Sequence, residues 1–295
     1  MYGIFGNGQV AQHIAFALDK LKIKNELIGR GDKVEVERYR NTENTFNVEV
    51  ASSKHLRDIS RNYGVIIYTS SLRDVNACEK DPALAHRVNA YAPSYLSEQT
   101  KVIYISTDYV FGKLSANYPR PVSGKIGEGE DPDSKYFSGG AVSIYGHTKR
   151  QGEVAVLKNS GAVVRISSPF GRWKSPLRGS FVDLVSSSQE HMFLPVDQII
   201  SPTYLPEAAD VLASVDIKEM DGIYHLVNEG SGSYFDIGTW ARSTIRNRKK
   251  VSMRYSEQES DRLRPNFSAL QNNRLPKLSH WAEAVAKHLK GNIDE

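Results

Sequence analysis

As far as Ser168, short apolar runs alternate with longer amphipathic segments, the pattern of a parallel sheet whose strands are joined by crossover helices. Residues 1–5 read as the first strand, and residues 10–21 as a helix with Ile14, Ala17, Leu18 and Leu21 on one face. Strands follow at 26–28 and, more weakly, at 46–50, with a helix at 55–62. Val65-Ile66-Ile67-Tyr68 is a strand of the fully buried kind. Residues 82–99 are helical, with Pro93 as a kink or a break. A strand at 102–106, a helix at 143–159 and a strand at 162–166 complete the alternation.

Beyond Ser168 the rhythm changes. Helices are expected at 181–188, 207–215, 234–245 and 281–289, and strands at 223–227 and 251–254. Ser233 and Ser279 stand where helix N-caps are expected. This half reads as a smaller α+β lobe leaning on the sheet. Residues 113–140 break the pattern differently, with Pro119, Pro121, Pro132 and five glycines. They read as a long surface loop, either a functional lid or an inert insertion.

Composition narrows the classes. The 295 residues suffice for one large domain or two smaller ones, and 40% hydrophobic with 24% charged residues is ordinary for a soluble globular protein. A net charge of +4 gives no ground for nucleic-acid binding, and Arg246, Arg248, Lys249 and Lys250 read as a solvated helix end. A lone cysteine, Cys78, excludes an internal disulfide, and no Cys/His cluster has zinc spacing, so no metal is expected. No stretch reads as a signal peptide or a membrane span. With a strand already running before Gly6, a cytoplasmic location is expected.

The candidate chemistry begins at Gly6-Asn7-Gly8-Gln9-Val10-Ala11, a strand-turn-helix fingerprint for a dinucleotide. Gly6 makes the tight turn, Gly8 lets backbone approach a pyrophosphate, and the helix N-terminus faces the phosphates. At the end of the second strand, where a carboxylate would bind the adenosine ribose, the chain reads Gly29-Arg30-Gly31-Asp32. The Arg30 guanidinium suits a 2′-phosphate and favours NADP(H), while Asp32 keeps NAD(H) open as the alternative. Thr69, Ser70 and Ser71 end the fourth strand and should line the same groove. Ser106, Thr107 and Asp108 end the fifth, placing a hydroxyl where it can meet a substrate carbonyl oxygen. Tyr145 and Lys149 lie four apart on one helix face. The ammonium is expected to lower the phenol pKa toward neutrality, making Tyr145 a proton donor to that oxygen. Lys149 is also placed to hold the nicotinamide ribose.

Thus the fold class expected is α/β: a Rossmann doubly wound parallel sheet over residues 1–168, then a smaller α+β C-terminal substrate lobe over 169–295, some segments of which return to the sheet. The motifs in this order resemble the extended short-chain dehydrogenase/reductases, and more narrowly the dTDP-4-dehydrorhamnose reductase group. The resemblance spans nearly the whole chain. It includes Ser106-Thr107-Asp108-Tyr109-Val110-Phe111, Tyr145 through Glu153, Asp197-Gln198 with Ser201-Pro202-Thr203-Tyr204, and Arg264-Pro265-Asn266. It implies hydride reduction of a nucleotide-linked 4-keto sugar, with Thr107, Tyr145 and Lys149 as the catalytic set. Gly6, Asn7, Gly8, Gln9, Val10, Arg30, Thr69, Ser70 and Ser71, with Tyr145 and Lys149, would bind the cofactor. Thr107, Asp108, Tyr109, Ser168, Arg172, Phe181 and Arg264 would face the nucleotide sugar. A homodimer through the helices at 82–99 and 143–159 is implied as well. The chain departs from the group in a glycine turn one residue shorter, a longer 113–140 loop, and Ser168 where the group carries a tryptophan.

Two other functions share these residues. One is a nucleotide-sugar epimerase or dehydratase that retains NAD. The other is a non-catalytic dinucleotide-binding regulatory subunit similar to the β subunit of methionine adenosyltransferase. Several residues read as bystanders: Cys78 as a packed or surface thiol, His147 as exposed, and His225 as a packed histidine. Trp173 and Trp240 belong to the pocket or the core, and Glu128, Glu130 and Asp131 form an acidic face rather than a metal site.

Overall fold

The apolar runs assemble into one parallel sheet because each is flanked by an amphipathic crossover that covers a face. A computed structural model describes residues 1–29, 44–114, 124–137, 140–173, 179–245, 250–256 and 262–291. In chain order these give β1 (Tyr2–Phe5), α1 (Gln9–Lys20), β2 (Asn25–Gly29), β3 (Asn44–Thr45), α2 (Ser53–Ser60) and β4 (Val65–Tyr68). Then come α3 (Val75–Lys80), α4 (Pro82–His86), α5 (Ala92–Ser97), β5 (Lys101–Thr107), α6 (Ile144–Lys158) and β6 (Ala162–Ile166). The described residues form a seven-stranded sheet in which the strand Gly222–His225 pairs with β6, followed by β5, β4, β1, β2 and β3. Each of these pairings is parallel. One face buries Ile4, Leu27, Ile67, Ile103 and Val164 against α1 and the helix Leu205–Ser214. The other buries Phe5, Ile66, Tyr68, Tyr104 and Val163 against Leu96 of α5 and Val156 of α6. The sheet is therefore doubly wound, as the sequence implied, and residues 205–225 belong to it although they lie far downstream.

Pro93 neither breaks the helix nor simply kinks it. A π-turn at Arg87–Tyr91 joins α4 to α5. Proline has no N–H to offer the carbonyl of Asn89, four residues back. That carbonyl instead accepts the Tyr104 hydroxyl at 2.6 Å, and the neighbouring Val88 carbonyl accepts the Tyr68 hydroxyl at 2.7 Å. Two strand tyrosines thus satisfy the groups the proline leaves open. The Asn89 amide then spans the end of β4 and α6, donating to Leu72 O and Thr148 Oγ1 at 3.1 Å each. Gly152 lets α6 come this close, since a Cβ there would collide with Asn89 O and the Tyr104 hydroxyl.

Some elements differ from expectation. The strand expected at 46–50 is Asn44–Thr45; Asn47 turns the chain afterwards, its Oδ1 accepting Glu49 N–H at 2.9 Å. The helix α3 went unforeseen, although Asp74 caps it by accepting Ala77 N–H. The strand Met192–Pro195 was also missed; it pairs in parallel with Val251–Arg254. Ser233 caps the helix Tyr234–Thr244 in a full capping box with Asp236. Ser279 does not cap the last helix, Trp281–Gly291; its hydroxyl donates to Glu207. The described part of the 113–140 loop is packed. Ile126 exchanges backbone bonds with Ala269 and Gln271, and Phe137 packs tilted against Phe111 in a small separate core. Its acids are anchors: Glu128 accepts from Asn273, while Asp131 and Asp133 pair with Arg150 of α6. Among the described residues no group of acids and histidines is arranged to hold a metal ion, and no helix is long and apolar enough to cross a membrane.

Candidate active site

The carboxyl ends of β1, β4, β5 and β6 meet at one edge of the sheet, and the candidate residues gather there. Gly6 has φ +133°, a region that favours glycine, and a Cβ on it would collide with Thr69 Oγ1. Gly8 caps α1 without a side-chain bond, and a Cβ there meets nothing within 4 Å. The helix N-terminus therefore opens onto free space edged by backbone N–H groups, which fits a dinucleotide pyrophosphate. Thr69 holds the turn from the other side, its hydroxyl donating to Phe5 O at 2.9 Å. Ser71 faces Asn89 Oδ1 at 3.1 Å and supports the π-turn. Gln9 turns away from the groove, donating to Gly171 O at 3.1 Å, and Val10 packs on the sheet core. Arg30 and Asp32 lie outside the described residues. Gly6→Ala is expected to lower stability by about 1–3 kcal/mol and to weaken dinucleotide binding at least ~10-fold. Urea denaturation and a cofactor titration would check both.

His13, one turn into α1, fixes the segment that follows β6. Its Nδ1 lies 2.8 Å from Gln9 O, and its Nε2 accepts Arg172 N–H at 3.2 Å, so Nδ1 carries the proton. Burial lowers its pKa from 6.5 to about 4. His225 is packed as expected, its Nδ1 3.0 Å from Gln271 O, and burial lowers it likewise to about 4. The unfolded chain protonates these rings near 6.5 and the folded protein only near 4, so their stabilisation is complete above 6.5 and drains away down to 4. Asp108, whose folded pKa is raised, acts oppositely in part of that window. His13→Gln should flatten the loss of urea stability between pH 6.5 and 4 by up to ~1.4 kcal/mol per pH unit. An unaltered slope would refute the assignment.

The Ser143 hydroxyl accepts Gly146 N–H and starts α6, setting Tyr145 and Lys149 on its sheet-facing side. Lys149 Nζ donates to Ile105 O at 2.7 Å and sits 3.9 Å from the centre of the Tyr104 ring. Burial lowers its pKa to about 7, with Glu153 opposing. The expected lowering of Tyr145 does not occur. Burial pushes its phenol up, with Asp108, Tyr109 and Cys78 adding to the effect, and the phenol hydrogen-bonds Thr107. Lys149 spends its charge on a carbonyl and a ring rather than on the phenol, so Tyr145 stays protonated. Thr107 Oγ1 accepts Tyr109 N–H and donates to Asp108 Oδ1, each at 3.2 Å.

Tyr109, Phe181 and Arg264 come together, joined by a residue the sequence reading missed. Arg264 donates to the Tyr109 hydroxyl at 2.6 Å, and the Tyr109 ring meets Tyr145 edge-on at 5.6 Å. Tyr234 hydrogen-bonds Tyr109 and packs edge-on against Phe181 at 4.8 Å. Its only sequence signal is an aromatic side chain directly after the cap Ser233. Ser168 sits at the end of β6 with φ +38°, a strained backbone for a serine. Arg172 goes elsewhere: it lines a cavity of about 290 Å³ with His13, Phe16, Trp173 and Tyr204 on the flank of α1. The Trp173 ring lies tilted against His13 at 4.4 Å, and Trp240 is a surface strut, 43% exposed, bonded to Ala282 O. Cys78 is buried and donates to Leu72 O; burial pushes its thiol up to about 12. His147 is exposed.

A doubly wound sheet with a glycine turn after its first strand, and a Tyr-x-x-x-Lys helix beside it, defines a protein of the extended short-chain dehydrogenase/reductase type. The RmlD substrate binding domain family matches residues 4–292, and the chain belongs to that family. It is 29% identical over 255 residues to a dTDP-4-dehydrorhamnose reductase of Mycolicibacterium smegmatis, covering 80% of this chain and 73% of that protein. The crystal structure of dTDP-4-dehydrorhamnose reductase from Bacillus anthracis in complex with NADP superposes with TM-score 0.77 at 22% identity over 98% of both chains. UDP-glucose 4-epimerase from Thermotoga maritima shares the fold, with TM-score 0.77 at 13% identity over 100% of this chain and 99% of that one.

Proposed function

We infer that this chain reduces a nucleotide-linked 4-keto sugar at the expense of NADPH. The observation that carries the reading is the half-buried phenol of Tyr145, hydrogen-bonded to Thr107 at the strand ends and set on one helix face with Lys149. Membership of the RmlD substrate binding domain family supports it, as does the similarity to dTDP-4-dehydrorhamnose reductases. Gly6, Asn7 and Gly8 would receive the pyrophosphate, Thr69 and Ser70 would edge the groove, and Lys149 would reach the nicotinamide ribose. The bound dinucleotide supplies a hydride. The chain's own part is to orient the substrate carbonyl and to give its oxygen a proton from Tyr145. A lysine that burial lowers to about 7 adds a cation near the sheet edge without drawing the proton off the phenol. Tyr109, Tyr234, Phe181 and Arg264 form the wall on which the nucleotide sugar would lie. NADPH is put before NADH because the sequence carries Arg30 directly after the second strand, and a guanidinium there suits a 2′-phosphate. A homodimer through the helical stretches 82–99 and 143–159 fits Tyr91, at the end of the π-turn, and Val154 of α6, which the single chain leaves 54% and 52% exposed.

The test is oxidation of NADPH, and separately NADH, against dTDP- and UDP-linked 4-keto-6-deoxy sugars. Steady turnover of one of them is the expected result. Cofactor binding without turnover of any would overturn the reading in favour of a regulatory subunit.

A further inference from the structure

Asp108 is buried at the junction of three chain segments that are far apart in sequence. Its Oδ2 accepts the hydroxyl of Ser167, at the end of β6, at 2.9 Å, and that of Ser268, from the C-terminal strand Phe267–Ser268, at 2.6 Å. Its Oδ1 accepts the Thr107 hydroxyl at 3.2 Å. Three hydroxyls thus aim their hydrogens at one carboxylate. Thr107 has a single hydrogen, and Tyr109 N–H already occupies one of its lone pairs. What remains for Tyr145 is a lone pair, so the phenol must donate to Thr107.

We propose that Asp108 is a positioning residue whose charge state sets the direction of the Thr107 hydrogen. As a carboxylate it draws that hydrogen to itself, and Thr107 is only an acceptor, holding the Tyr145 proton. As a carboxylic acid it donates to Thr107 from Oδ1 while the serines still donate to Oδ2. The Thr107 hydrogen is then released toward the substrate oxygen. The carbonyl then meets two donors, Thr107 and Tyr145, in place of one. A donor aimed at an oxygen gaining charge is worth about 10²–10³-fold in rate. The groups facing Asp108 are Tyr145 from α6, Tyr109 from its own turn and Tyr234 from the helix Tyr234–Thr244, with Arg264 beyond Tyr109. The three phenols are pushed up and uncharged at neutral pH, so among these groups Asp108 is the one that changes charge, burial raising its pKa to about 6; Lys149, which burial lowers to about 7, is held on Ile105 O and titrates in wild type and Asp108→Asn alike.

The inference rests on the reductase reading, and two measurements separate them. In Asp108→Asn the amide oxygen takes the two serine hydrogens and the NH₂ group donates permanently to Thr107, mimicking the acid. From pH 6 to pH 8 the wild-type kcat/KM should fall at least ~10-fold relative to that of Asp108→Asn, which keeps only the Lys149 titration and should exceed the wild type at pH 8. A residue serving only the fold would lower activity at every pH and leave the profile in place. The second measurement needs no turnover: ¹³C NMR of ¹³Cζ-tyrosine-labelled protein, with the Tyr145 signal assigned through Tyr145→Phe. Because Thr107 now donates to the phenol oxygen, Tyr145 should ionise at lower pH in Asp108→Asn. If that shift appears without turnover, the reductase reading fails and the positioning role stands. An unmoved Tyr145 titration, or an Asp108→Asn profile parallel to the wild type, overturns the proposal.

Discussion

Replacing Tyr145 with phenylalanine is expected to lower kcat by about 10²–10⁴-fold, the usual contribution of a positioned general acid, while leaving the affinity for NADPH within about twofold. A phenol pushed up by desolvation holds its proton at neutral pH, which suits donation in a reduction and opposes proton abstraction in the reverse direction. The ring survives in Tyr145→Phe, and with it the edge-on contact to Tyr109 at 5.6 Å, so the wall of the site keeps its shape. The hydroxyl contributes one hydrogen bond, to Thr107, and its loss costs little stability. Single-turnover hydride transfer measured beside cofactor affinity separates the two effects. A loss of less than ~10-fold in kcat would mean that the proton comes from another group.

The second large effect concerns stability. Glu153→Ala is expected to destabilise the fold by about 3–5 kcal/mol, because it strands a buried guanidinium. Arg165 and Glu153 are both fully inaccessible, and they are joined in a two-point grip at 2.8 and 2.7 Å. Arg165 also lies 3.4 Å from His225 Nε2 and 4.9 Å from the Phe111 ring, so it has no route to water. Arg150 adds a second cation to Glu153 at 3.3 Å. Replacing both partners by apolar residues, as in Glu153→Leu with Arg165→Met, should recover most of the loss, since no charge is then left unpaired. Urea denaturation of the two single variants and the double variant decides it. A double variant no more stable than Glu153→Ala would sink the account. Glu153 also supports the charge of Lys149 against burial, so its removal should lower the ammonium fraction at neutral pH and reduce turnover in the fraction that folds.

The parts of this protein that repeat a short physical rule were legible in the sequence. A strand of four apolar residues such as Val65–Tyr68 has nowhere to go but the middle of a parallel sheet, and Tyr145 and Lys149 must share a face at a spacing of four. The glycine turn was legible because Gly6 needs a conformation that other residues avoid. What could not be read depended on partners distant in the chain. No local signal ties Ser268 to Asp108, 160 residues earlier, or predicts that Tyr104 will answer the carbonyl Pro93 leaves open. The pKa of Tyr145 was misjudged for the same reason: adjacency to Lys149 is visible in the sequence, but the carbonyl of Ile105 that occupies the ammonium is not. Arg172 was grouped with the substrate wall through resemblance, whereas His13 holds its backbone on the flank of α1.

The return of Gly222–His225 to the edge of the main sheet limits how this chain can exchange parts with its relatives. A crossover in sequence at Ser168 looks like a clean seam between a cofactor half and a substrate half. It would instead import an edge strand and the helix that covers α1, both shaped for another protein's sheet. Shuffling among such reductases should therefore tolerate swaps confined to residues 169–202 or to those after residue 226 more readily than replacement of everything beyond Ser168. New sugar preferences would then arise by remodelling the wall around Phe181, Tyr234 and Arg264, with the sheet inherited whole.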